Sequence, residues 1–168
     1  MSLKKNVFSD PITIKYKGIY DFDGLYKLFY KFFNARNYYV IEPKYKDKAG
    51  KYGNDVEYKI IGQKEVTDFV KYMIQIETEF IEMEEVPTTI DGQRKMVSDG
   101  RFFLRITDVV VEFDWQNKFS SDFQKKLLNF MVNSILRRYF EFKYIKPLKD
   151  EFKDLQKMIK SHLNQTAN

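Results

Sequence analysis

Residues 66–83, VTDFVKYMIQIETEFIEM, hold the reading that decides the fold. Val66, Val70, Tyr72, Ile74, Ile76, Thr78 and Phe80 fall on one side of an extended chain, and Thr67, Lys71, Gln75, Glu77 and Glu79, with Glu65 just before them, on the other. Strict alternation over this length specifies a strand with one face in a core and one in water. Asp68, Phe69 and Met73 break the pattern near its start, which predicts a twist or bulge there. A strand this long needs long partners, so an extended antiparallel sheet is expected.

The flanking sequence supplies those partners. Asp91-Gly92 is a tight-hairpin signal, because both central residues of a type I′ turn need positive φ. Asp99-Gly100 repeats the signal, which predicts a short strand over 93–98 and a long one from Arg101 to Trp115. Upstream, ITIKYKG (12–18) alternates as a half-buried strand. Residues 21–36 then bring Phe22, Leu25, Tyr26, Phe29, Phe32 and Phe33 together at helical spacing behind Asp21 and Asp23 as N-caps. Strands near 38–46 and 55–61 flank the turn-rich DKAGKYGN (47–54), and Gly62-Gln63 reads as a break. Pro43 fits an edge strand or a bulge.

The C-terminal third is helical. Ser121 and Gln124 form a capping box, and an apolar pattern follows to Phe142. Phe123, Leu127, Phe130, Met131 and Ile135 form what reads as the main packing stripe, with Leu128, Val132 and Leu136 beside it. Pro147 is expected to break or kink the helix. A second segment over 147–165 is then expected to fold back over the second stripe, giving a monomer or weak homodimer.

Composition excludes much chemistry. There is no cysteine and a single histidine, His162, so Cys/His zinc sites and histidine-centred catalysis are not expected. Seven glycines form no phosphate-cradling loop. Glu77, Glu79, Glu82, Glu84 and Glu85 alternate across a strand and do not converge on a cation, so they read as a charged, aggregation-resistant strand. Asp108, inside RITDVVVEF, is the one carboxylate placed for a raised pKa, with no second acid or base in register. No catalytic residue, metal ligand or cofactor is assigned. No secretory leader or run long enough to span a bilayer is apparent, so a cytoplasmic location is expected.

Net charge is +5, and it is unevenly placed. Residues 1–115 sum to −1 and residues 116–168 to +6. Arg137, Arg138, Lys143 and Lys146 interleave with Tyr139, Phe140, Phe142 and Tyr144, a mixture that suits single-stranded nucleic acid. Helical phase puts Tyr139 and Phe142 on the core side, which favours packing instead.

The order strand, helix, antiparallel meander, long C-terminal helix resembles the helix-grip superfamily of START-like ligand-binding domains over residues 10–145. The stretch KGIYDFDGLYKLFY (17–30) is also similar to a small uncharacterised archaeal protein family. The helix-grip resemblance implies an α+β fold of a single domain, with the C-terminal helix gripped by the sheet and the 147–165 extension beyond it. It also implies a cavity for a hydrophobic small molecule or lipid, lined by Phe29, Phe33, Tyr72, Ile74, Ile76, Phe102, Leu104, Phe130 and Met131. A non-enzymatic ligand-binding domain is therefore the first expectation. An interaction or nucleic-acid-associated module using the basic C-terminal third is the second.

Overall fold

The computed structural model describes residues 3–114 and 121–166. The expected strand end at Trp115 lies outside them. The chain runs β1 (Leu3–Asn6), β2 (Ile12–Tyr20), α1 (Phe22–Ala35), β3 (Tyr39–Gly50), β4 (Gly53–Thr67), β5 (Val70–Ile90) and β6 (Gln93–Phe113). A C-terminal helix follows in pieces: α2 (Asp122–Phe130), a π turn (Met131–Ile135), α3 (Arg137–Phe140), a second π turn (Glu141–Ile145) and α4 (Lys146–Thr166). The fold is α+β, one antiparallel sheet of six strands with α1 and the long C-terminal helix, in a helix-grip-like layout.

The spatial order is β1-β6-β5-β4-β3, and β2 also pairs with β6. β1 lies along residues 110–113 of β6 and β2 along residues 98–106, so the two form one interrupted edge. β5 behaves as its alternation requires: Val70, Tyr72, Ile74, Ile76, Thr78 and Phe80 are buried. Its other face carries a charge lattice, in which Lys59 meets Glu77 at 3.2 Å and Lys44 pairs with Glu57.

Three turn assignments differ from expectation. The chain reverses at Asp68-Phe69, where Thr67 Oγ1 accepts the Val70 amide at 3.1 Å, so β5 starts at Val70 and Val66 belongs to β4. β4 runs straight through Gly62-Gln63. Asp99-Gly100 is not a turn either, since both residues sit in the ladders of β2 and β5 or beside them. Gly100 is instead a close approach, because a Cβ there would meet the Glu82 carbonyl at 3.0 Å. Glu82 itself bulges out of β5 with φ 53°, held by its amide on Asp55 (2.9 Å) and its carboxylate on Arg101 (2.8 Å). Asp91-Gly92 does form the tight hairpin, with φ of 52° and 77°.

α1 starts where its cap predicts, Asp21 Oδ1 accepting the Gly24 amide at 2.8 Å. It buries Leu25, Phe29, Phe32 and Phe33 against the sheet. Each such side chain is worth about 1.5–3 kcal/mol of hydrophobic stabilisation before entropy is counted.

The C-terminal helix departs most from expectation. Pro147 does not end it: Lys146 before it is already helical, and the residue follows directly on the second π turn, a widened turn of the kind that accommodates a break in the hydrogen-bond ladder. The tail therefore does not fold back. It continues to Thr166, burying Leu148, Phe152, Leu155, Ile159 and Leu163, and makes contact with α1, β2 and β6. Phe152 meets Phe8 at 4.7 Å between ring centres.

The π turns have a cause in the spacing. Leu128, Val132, Leu136, Phe140, Tyr144, Leu148 and Phe152 recur every fourth residue. In an α-helix each such step overshoots a full turn by about 40°, so seven positions would wander around most of the circumference. Widened turns absorb the surplus and keep this stripe on the sheet side. Val132, Phe140, Tyr144, Leu148 and Phe152 are buried, with Leu128 and Leu136 packed beside the core.

Candidate functional site

Six of the nine expected cavity residues, Phe29, Phe33, Ile74, Ile76, Phe102 and Leu104, lie in the interior between sheet and helices, fully buried, and Tyr72 nearly so. Side chains fill the space around them. Phe80 alone has ring neighbours Phe22 at 4.9 Å, Phe102 at 5.3 Å, Tyr20 at 5.5 Å and Tyr58 at 5.7 Å. Phe130 and Met131 are not with them: Phe130 is 59% exposed on the far side of the C-terminal helix, and Met131 is half-buried. The helical phase that placed those two inside was that of an unbroken α-helix.

Polar groups do enter this interior. The hydroxyls of Tyr20, Tyr58 and Thr78 are all buried without a hydrogen-bond partner. Tyr58 and Thr78 are direct cross-strand neighbours, close but not in bonding geometry. Burial pushes the Tyr20 and Tyr58 hydroxyls well above the usual phenol range.

Around the core, polar clusters fasten elements together. Glu151 on α4 accepts from Tyr38 at 2.6 Å and pairs with Lys64 at 2.9 Å. Glu42 on β3 accepts from both Tyr26 and Tyr30 of α1, the Tyr30 bond measuring 2.6 Å. Burial first, and the bond to Glu42 second, raise both of these phenols. His162 lies 3.1 Å from the Asp21 carbonyl and is wedged against Gly24, so it joins α4 to the start of α1.

The carboxylates singled out in the sequence are occupied structurally. Asp108 is not buried. It follows Thr107, the extra residue of a bulge opposite β5, and accepts from Asn6 at 3.4 Å. Glu77 is shared between Lys59 and Gln75. Among the described residues no group of three or more His, Cys, Asp and Glu could hold a metal ion.

The outer side of the C-terminal helix is different in kind. Phe123 (74%), Phe142 (71%) and Ile135 (69%) are largely exposed, and Leu127, Phe130 and Tyr139 are about half exposed. These residues form one stripe opposite Leu128, Val132 and Leu136. The two stripes are thus reversed from the sequence reading: the one taken as secondary packs on the core, and the one taken as main faces out. α2 contributes no fully buried residue at all. The signal that could have decided between them is the four-residue repeat continuing into Phe140, Tyr144, Leu148 and Phe152.

Toward its C-terminal end the stripe becomes basic. Arg137, Arg138, Lys143 and Lys146 are all exposed. Lys146 Nζ stands 4.8 Å from the centre of the Phe142 ring. Lys143 Nζ lies 5.2 Å from that of Tyr139 and 2.7 Å from its hydroxyl. Arg138, Lys146 and Lys149, with the single acid Glu141, border a shallow cleft of about 440 Å³ floored by Phe142 and Ile145. Cations and rings therefore share one open surface, as the interleaved sequence suggests, although Tyr139 and Phe142 lie on its outer side and not in the core. No family model, curated protein or solved structure matches this chain.

Proposed function

We propose that the chain is a non-enzymatic interaction module whose working surface is the outer stripe of its C-terminal helix. The observation that carries this is the set of six large apolar side chains, each about half exposed or more, spaced over residues 123–142 of the C-terminal helix. Contiguous apolar surface on that scale marks a site of association. The basic residues 137–146 lie at its end, where they lend charge selectivity to what the stripe engages. Photo-crosslinking in the producing cells tests this. A benzophenone side chain at Phe130 should give a defined adduct, and one at Gln75, on the charged outer face of the sheet, should not. Equal labelling at both positions, or none at either, would remove the reading.

A second reading, the hydrophobic-ligand domain, is favoured by one observation: three unpartnered hydroxyls in the interior, at Tyr20, Tyr58 and Thr78. A bound molecule with a polar end would satisfy groups that otherwise cost about 1–3 kcal/mol each. Native mass spectrometry of protein taken directly from cells should then show a small adduct, lost on denaturation. A mass equal to that of the bare chain would end it.

A further inference from the structure

We infer that the occupant of the outer stripe is the surface of an anionic lipid bilayer. The inference rests on the interaction reading above and names its partner. Residues 121–146 carry six cations and two acids, and one of those acids, Asp122, already faces Lys125. A second copy of the chain cannot complement that charge. Two-fold pairing of the stripes in parallel sets basic end on basic end. Antiparallel pairing sets Arg138 and Lys146 of each copy against the apolar Phe123, Leu127 and Phe130 of the other. An anionic headgroup layer above a hydrocarbon layer matches both properties at once.

The arrangement of side chains fits a layered solvent. Phe123, Leu127, Phe130 and Ile135 supply aliphatic and aromatic depth, and Leu127 and Ile135 have no stacking face to offer a nucleic-acid base. Lys143, bonded to the Tyr139 hydroxyl, and Lys146, over the Phe142 ring, keep exposed ammonium groups within reach of headgroup phosphates while the rings enter the interface. Leu128, Val132, Leu136 and Phe140 meanwhile hold the helix to its own domain, so it lies on the bilayer with the domain above it. It does not cross: no helix among the described residues is long and apolar enough to span a membrane.

Vesicle sedimentation of the full chain tests the assignment. The probes are phosphatidylcholine vesicles with and without about one third phosphatidylserine. The chain should pellet with the anionic vesicles at least ten times more strongly than with neutral ones, and binding should weaken as salt rises. A triple variant, Phe123→Ser with Phe130→Ser and Phe142→Ser, should lose binding at low salt while keeping its circular dichroism and melting transition. Arg138→Glu with Lys146→Glu should lose the anionic preference. Failure to pellet with any vesicle overturns the lipid assignment. If the wild type then forms a dimer, or shifts an RNA oligonucleotide, and the triple variant does neither, the interaction reading survives with a different partner. If wild type and triple variant are indistinguishable in all three assays, both fall.

Discussion

The ring of Phe33 on α1 rests so close to Gly62 on β4 that a Cβ at Gly62 would lie 2.3 Å from Phe33 Cε1. The helix reaches the sheet because that position has no side chain. Gly62→Ala should therefore cost about 1–3 kcal/mol by overpacking, read as a melting temperature lower by several degrees. Adding Phe33→Leu, which removes the obstructing ring edge, should recover part of the loss. An unchanged melting point in Gly62→Ala would mean that α1 can lift off the sheet without penalty.

The two sides of the C-terminal helix should respond oppositely to truncation. Phe140→Ala removes a ring packed on Phe113 at 5.3 Å and should cost about 3 kcal/mol. Phe123→Ser or Ile135→Ser, on the outer stripe, should change stability by less than about 0.5 kcal/mol and raise solubility. Urea unfolding of the three variants gives both numbers directly.

Glu151 fastens α4 to the β3–β4 side of the sheet through Tyr38 and Lys64. Glu151→Ala leaves the Tyr38 hydroxyl, on a residue that is 4% exposed, without its acceptor, at a cost of about 1–3 kcal/mol. Tyr38→Phe in the same background should return much of that, because the stranded donor is gone. A double-mutant cycle over the pair measures the coupling.

Alkali should unfold the protein over a narrow window. Tyr72 donates to the Tyr144 carbonyl at 2.6 Å, and burial first, then the nearby Glu151 and Tyr144, push its hydroxyl up to about 12. Between the ordinary phenol value of 10.0 and about 12 the folded state keeps this proton and the unfolded state has lost it. Stability is thus fully present below pH 10 and falls as pH rises through that window. Tyr20, Tyr38 and Tyr58 are shifted in the same direction and steepen the fall. Tyr72→Phe should lower the urea midpoint at neutral pH, by about 1 kcal/mol for the lost bond, yet flatten the decline above pH 10.

The sheet was legible wherever one face of a strand met water and the other met the core. That holds for residues 70–80 of β5 and 12–20 of β2, and for Asp91-Gly92, whose backbone demands are local. Legibility failed where a glycine served a distant partner. Gly62 and Gly100 read as punctuation, but Phe33 and the bulge at Glu82 explain them, and neither is near in sequence. The turn at Asp68-Phe69 hid behind apolar neighbours, since Val66 and Val70 happen to keep the alternation across it. The candidate surface was found as a composition, in residues 137–146, and misplaced as a geometry. The four-residue repeat that runs on into Phe140, Tyr144, Leu148 and Phe152 marks the buried side, but it stays on one face only in a helix with widened turns, and ordinary helical phase does not foresee those.

The helix between Leu128 and Phe152 keeps its footing only because its length in residues and its number of turns are held out of their usual proportion. Removing a single residue from residues 131–135, Asn133 for instance, would take out the surplus that the widened turn absorbs and restore ordinary winding with Leu128 still on the sheet side, whereas adding one there would turn everything before it by about 100° about the axis. After such an insertion Leu128 would swing away from the sheet and the polar Asn129 would take its place. The spacing of this helix is therefore a tolerance on chain length: one residue can be lost at a widened turn with the same surface presented, whereas one residue added changes which surface the molecule presents.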